Sequence, residues 1–206
     1  MDVLSADDDK IAWYENDGSQ SFTLHTINDS AIGASSVYAV DVDGDGDLDV
    51  LSTSRNDDKV TWYENDGSQV FTAHLISSSA DMAFEVFAAD VDGDGDIDVL
   101  SASVEDDKIA WYENDGSQNF TERVVSTAAD GAHSVKAIDV DGDGDIDLLS
   151  ASTQDDKVAW YENDGSQVFT AHTITTTADR ANSVFASDVD GDGDIDVLSS
   201  SETDDR

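Results

Sequence analysis

The segment Asp41-Val42-Asp43-Gly44-Asp45-Gly46-Asp47-Leu48-Asp49 puts five carboxylates into nine residues. Side chains at positions 1, 3 and 5 of so tight a loop can converge on one point, and a glycine at position 6 permits the sharp turn that lets them do so. Without a cation, that many negative charges at close range repel one another. Calcium removes the repulsion: it is a hard cation that takes about six to eight oxygen ligands at about 2.3–2.6 Å. On this scheme Asp41, Asp43, Asp45 and Asp49 supply side-chain oxygens, the last directly or through water, and Asp47 supplies its carbonyl. Magnesium fits less well, because it demands a strict octahedron and keeps its water. The array recurs at Asp90, Asp92, Asp94, Asp96 and Asp98, at Asp139, Asp141, Asp143, Asp145 and Asp147, and at Asp188, Asp190, Asp192, Asp194 and Asp196. The expected complement is therefore four Ca2+ ions, one per loop. Asp2 matches the last residue of such a loop.

Two competing readings are weaker. An acidic turn with no ion would carry the same repulsion in every copy. An EF-hand requires a bidentate Glu at position 12 and flanking helices; here position 12 is Ser52, Ser101, Ser150 or Ser199, and the flanking residues are strand-like.

The elements that must hold these loops follow from the repeat. WYENDGSQ starts at Trp13, Trp62, Trp111 and Trp160, and DVDGDGD at Asp41, Asp90, Asp139 and Asp188, both stepping by 49 residues. One period reads as four short strands. Val37 to Val40 enters the Asp/Gly loop and Asp49 to Thr53 leaves it. Lys59 to Glu64 follows a polar turn, and Phe71 to Ile76 follows Asn65-Asp66-Gly67, a hairpin signal built from residues that tolerate positive φ. Apolar residues alternate at Phe71, Ala73 and Leu75, as in a half-buried strand. Four antiparallel strands in a period of this length is the size of one propeller blade. The expected fold class is all-β: a β-propeller of four-stranded antiparallel blades. Residues 1–34 form a partial blade holding the second to fourth strands. Spans 35–83, 84–132 and 133–181 are complete blades, and 182–206 holds a first strand plus a surplus second strand. That inventory suits a four-bladed ring, half of an eight-bladed homodimer formed by strand exchange, or a fragment of a larger propeller. A linear β-solenoid, with its shorter turns, suits this meander poorly.

Composition narrows the partners. The chain has 48 Asp plus Glu against 9 Lys plus Arg, a formal net charge of -39, so nucleic acid is repelled and anionic membrane disfavoured. The absence of Cys excludes disulfides and thiolate zinc sites. No apolar run is long enough to span a bilayer, and residues 1–5 do not resemble a signal peptide.

Among other recurring residues, Trp13, Trp62, Trp111 and Trp160 are candidate sugar-stacking platforms, although aromatics in a repeat protein more often pack between units. His25, His74 and His172 share a repeat position that Arg123 fills in the third period, a swap no common metal or catalytic role would survive. Asp-Asp-Lys turns such as Asp106-Asp107-Lys108 read as solvated hairpins. No catalytic constellation stands out, and the expectation is a non-enzyme.

The Asp/Gly loops, with a β-rich strand before and Asp-Val-Leu-Ser or Asp-Leu-Leu-Ser after, resemble the FG-GAP and VCBS-type repeat families, whose integrin-like members form β-propellers. The resemblance spans the chain through its repeats. It implies calcium between the first and second strands of each blade, an extracellular or cell-surface location, and a role in adhesion or recognition of a protein or glycan ligand. The Phe-Gly and Gly-Ala-Pro elements are missing, as is proline altogether. A multivalent lectin and a structural spacer of a larger surface protein are the alternative functions.

Overall fold

The computed structural model describes residues 1–202, and its regular structure is seventeen β-strands. They form five antiparallel meanders in chain order. The first sheet holds β1 (Val3–Asp7), β2 (Lys10–Asn16) and β3 (Phe22–Asn28). Three four-stranded sheets follow: β4 (Ala34–Val40), β5 (Asp49–Ser54), β6 (Lys59–Asn65) and β7 (Phe71–Ser77); β8 (Ala83–Ala89), β9 (Asp98–Ser103), β10 (Lys108–Asn114) and β11 (Phe120–Ser126); β12 (Ala132–Ile138), β13 (Asp147–Ser152), β14 (Lys157–Asn163) and β15 (Phe169–Thr175). The last sheet pairs β16 (Ala181–Ser187) with β17 (Asp196–Ser201). Each first strand begins one residue before the repeat boundary read from the sequence, and the end of the 182–206 span, residues 203–206, lies outside the described residues.

The hairpins are fixed by side chains reaching their own backbone. Asn65 Oδ1 accepts from Gly67 N and Gln69 N, and Asp66 Oδ1 from Ser68 N. Gln69 is thereby held at φ 64. The Asp/Gly loop closes a register in which Val40 faces Asp49 and Tyr38 faces Leu51.

The core lies between sheets. Each interface joins the later strands and loop of one sheet to the first three strands of the next. Val42, Leu51, Val60 and Trp62, for example, pack against Val86, Val99 and Tyr112. The indole of Trp62 meets the ring of Phe120 edge-on, and Trp111 meets Phe169 likewise. In the four-stranded sheets the second strands are covered on both faces and both edges, so β5, β9 and β13 are buried along their whole length. Among the described residues, the principal packing runs only between sheets adjacent in the chain.

One sequence expectation changes, and another gains a physical reason. The Asp-Asp-Lys turns are not merely solvated hairpins. Asp58 Oδ1 accepts Met82 N from the next sheet, and Asp107 Oδ1 and Asp156 Oδ1 accept Gly131 N and Arg180 N in the same manner. They tie each sheet to its successor. The His/Arg position also has one physical role. His25, His74 and His172 stack on Trp13, Trp62 and Trp160 while facing Glu15, Glu64 and Glu162. Arg123 lies over Trp111 and pairs with Glu113. A planar nitrogenous group between an indole and a carboxylate satisfies the position, and both residue types provide one.

Candidate metal centres

Each Asp/Gly loop is folded by its own carboxylates. Asp41 Oδ1 accepts Gly44 N at 2.8 Å and Oδ2 accepts Gly46 N at 3.0 Å. Asp43 Oδ1 accepts Asp45 N, and Asp45 Oδ1 accepts Asp47 N. Gly46 sits at φ 98, a backbone state that L side chains rarely adopt, which explains a glycine at position 6. The other three loops repeat the pattern, with Asp90, Asp139 and Asp188 each bridging two glycine amides.

The carboxylates converge as the spacing requires. Asp41, Asp43 and Asp45 bring oxygens within 4.8 Å of one another, and so do Asp90, Asp92 and Asp94. In the third loop the trio is Asp139, Asp141 and Asp147, and in the fourth Asp188, Asp190 and Asp196. Desolvation first, and then neighbouring carboxylates, raise the Asp43 carboxyl above its ordinary pKa, and the same holds for Asp92 and Asp141. A raised carboxyl among carboxylates is a site that gains by taking up positive charge. Every converging donor is a carboxylate oxygen, the donor set of a hard cation rather than a soft one. The residues fit such an ion.

The remaining predicted ligands have more specific positions than the spacing revealed. Asp49 is fully buried and braces two strands: Oδ2 accepts Val42 N at 3.1 Å and Oδ1 accepts Asn65 N at 2.8 Å. Asp98 and Asp147 do the same. Burial raises Asp98 to about 6, against which its two backbone bonds pull only partly. The indoles of Trp62 and Trp111 lie near enough to Asp49 and Asp98 to lower those carboxyls, yet their Nε1–H groups fall outside hydrogen-bond geometry. Asp47, Asp96 and Asp145 lean their carboxylates over Gly67, Gly116 and Gly165, where an added Cβ would stand 2.4–2.5 Å from an oxygen. Asp143, Asp192 and Asp194 complete their loops, with Asp143 and Asp192 accepting the following even-spaced aspartate amide.

The structure thus gathers the aspartates loop by loop and leaves the tryptophans elsewhere. Trp62 and Trp111 are buried between sheets and offer no face for a sugar, while Trp13 and Trp160 are partly exposed. Sequence reasoning missed the glycine under each of the first three loops. Its signal was present in the constant spacing from those three Asp/Gly loops to the following Asn-Asp-Gly turn.

No curated protein matches the chain. Among solved structures, the V. cholerae biofilm matrix protein Bap1 aligns at 23% identity and TM-score 0.48, over 79% of this chain and 27% of that one. 1,3Gal43A, an exo-beta-1,3-galactanase from Clostridium thermocellum, aligns at 13% identity and TM-score 0.48, over 95% of this chain and 53% of that one. The chain therefore spans about a quarter of the first structure and about half of the second. The profile of the FG-GAP-like repeat matches residues 1–52, 41–101, 90–150 and 139–199, overlapping at each Asp/Gly loop. With matches running end to end through its four loops, the chain belongs to the FG-GAP-like repeat family.

Proposed function

We propose that each Asp/Gly loop binds one calcium ion and that the chain is a calcium-stabilised, extracellular binding or adhesion module rather than an enzyme. The observation that carries this reading is the convergence of three carboxylates within 4.8 Å in every loop. Asp41, Asp43 and Asp45, with their counterparts in the other loops, hold the ion, and carbonyl oxygen from Asp47 and its equivalents adds to the shell. Asp49 and Asp98 act chiefly as braces, while Asp147 and Asp196 also reach the cluster. The ion supplies positive charge where the loop has only negative charge. The protein residues position it, since the loop is already closed by its own hydrogen bonds.

The loop also joins the first two strands of a sheet and covers the next interface through Val42, Val91 or Val140. Calcium that rigidifies the loop therefore stabilises sheet-to-sheet packing. We take the sheets to be blades of a β-propeller, supported by first strands that pack on one another from sheet to sheet. An extracellular setting is supported by family membership and by the affinity usual in extracellular calcium modules, roughly 10⁻⁴ to 10⁻³ M. Among the described residues no helix is long and apolar enough to cross a membrane. The ligand is a protein or a glycan, and a glycan cannot use Trp62 or Trp111.

The test is a thermal melt followed by circular dichroism in about 5 mM calcium and again in excess chelator. At the affinities above, this concentration stabilises by about 1–2 kcal/mol per loop. The midpoint is expected to rise by on the order of 10 °C. Equal midpoints in the two buffers would defeat the assignment.

A further inference from the structure

One asparagine in each four-stranded sheet serves two structures at once. Asn114 ends β10, opens the Asn-Asp-Gly turn and is fully buried. Toward the turn, its Oδ1 accepts Gly116 N at 3.2 Å and Gln118 N at 3.1 Å. Toward the Asp/Gly loop, its backbone N–H donates to Asp98 Oδ1 at 2.8 Å and its Nδ2 donates to Ile97 O at 3.1 Å. The same four bonds, at the same lengths, recur at Asn65 and at Asn163.

Only an amide on a short stem can make this set of bonds, because it carries a donor and an acceptor together. Aspartate has no donor for the Ile97 carbonyl, alanine has neither group, and glutamine is a methylene too long. The bonds to the loop grip two consecutive residues, Ile97 and Asp98, directly after Asp96. Asp96 is restrained as well, for its carboxylate lies against Gly116 of the same turn, where an added Cβ would collide with Oδ2. The turn therefore holds the side chain of loop position 7, the carbonyl of position 8 and the carboxylate of position 9. Position 7 is the residue whose own carbonyl is assigned to the ion.

We propose that Asn65, Asn114 and Asn163 are positioning residues of the metal centres. Each clamps the exit of its Asp/Gly loop to the hairpin of the same sheet, so that calcium meets a loop whose second half is already set. This rests on the reading of the loops as calcium sites. The asparagine does not touch the ion; it acts through the peptide that follows Asp96 and through Asp98, and through their equivalents in the other two sheets. The physical reason is preorganisation. A loop free to swing gives up conformational freedom when the ion binds, whereas a clamped loop has given it up on folding. Outer groups that orient a metal ligand in this way change affinity by about 10–100-fold. The coupling is reciprocal, since an ion that prefers the clamped loop also stabilises the clamp.

The test is a calcium titration of the isotope-labelled chain, followed by nuclear magnetic resonance at the position-6 glycine amides Gly46, Gly95 and Gly144. Asn65→Ala is the variant of choice because Asn65 is the least buried of the three asparagines. Its midpoint at Gly46 is expected to rise by about tenfold, while those at Gly95 and Gly144 stay within about twofold and show that the other sheets are folded. Asp66→Ala frees Ser68 N and Val70 N in the same turn but breaks no bond to the loop. It is expected to leave the Gly46 midpoint within about twofold of the parent. In the unmodified chain, calcium is expected to slow hydrogen exchange at Gly67 N and Gln69 N, the amides that Asn65 holds, a readout that needs no variant. An unchanged Gly46 midpoint in Asn65→Ala, an equal rise in Asp66→Ala, or unchanged exchange at Gly67 and Gln69 overturns the positioning role and leaves the loops as calcium sites. Glycine amides that ignore calcium in the parent chain overturn both.

Discussion

Strands β9 and β17 both begin Asp-Val-Leu-Ser, yet they occupy opposite environments. All of β9 is buried; Leu100 is fully covered and its counterpart Leu198 is 43% exposed. Asp98 spans two strands with two accepted amides, whereas Asp196 accepts one. Local sequence gives both segments the same strand and the same loop. What differs is a third strand on one edge and the flanking sheets on both faces. In this chain a residue's energetic weight is set by its place in the stack rather than by its type.

That contrast can be broken most severely with a charge. Leu100→Asp buries an unpaired carboxylate and is expected to cost about 3–5 kcal/mol, enough to lose cooperative unfolding in urea. Leu198→Asp is expected to stay within about 1 kcal/mol of the parent in the same titration. Equal losses would mean that β17 is covered in solution. A smaller effect is expected at the braces. Asp98→Ala strands Asn114 N and Val91 N and is expected to cost about 2–4 kcal/mol, whereas Asp196→Ala should cost less than about 1 kcal/mol, both measured in chelator.

Glycine substitutions sharpen the comparison further. Gly18→Ala meets open space, so only its positive φ is penalised, by about 1 kcal/mol. Gly116→Ala must also displace Asp96, and in calcium its thermal midpoint should fall several degrees below that of Gly18→Ala. The smallest effect is in pH. Asp98 is raised from 3.8 to about 6, so the calcium-free fold binds a proton more readily than the unfolded chain. Its contribution is fully present below about pH 4 and is lost as pH rises through about 6. In chelator the midpoint should therefore rise as pH falls from 7.5 to 5, with a shallower slope in Asp98→Asn and no such change in Asp196→Asn. In calcium the rise should shrink, because protons and the ion compete for the same carboxylates.

The chain sequence made much of this architecture legible. Its period, the four strands of a repeat, the Asn-Asp-Gly hairpins and the aspartate positions of each loop all depend on interactions within a few residues. Local hydrogen bonds and side-chain alternation fix them, and the 49-residue repeat states them four times. Tertiary structure decided the rest. It made Asp49 a brace before a ligand, placed Asp47 over Gly67, turned the Asp-Asp-Lys turns into ties between sheets and buried Trp62 beneath Phe120. It also left Val189 and Phe22 without the partners that their counterparts have. These outcomes depend on which strand lies alongside and which sheet lies above, contacts that join residues a full repeat apart and that the same local sequence meets in the middle of the stack but not at its ends.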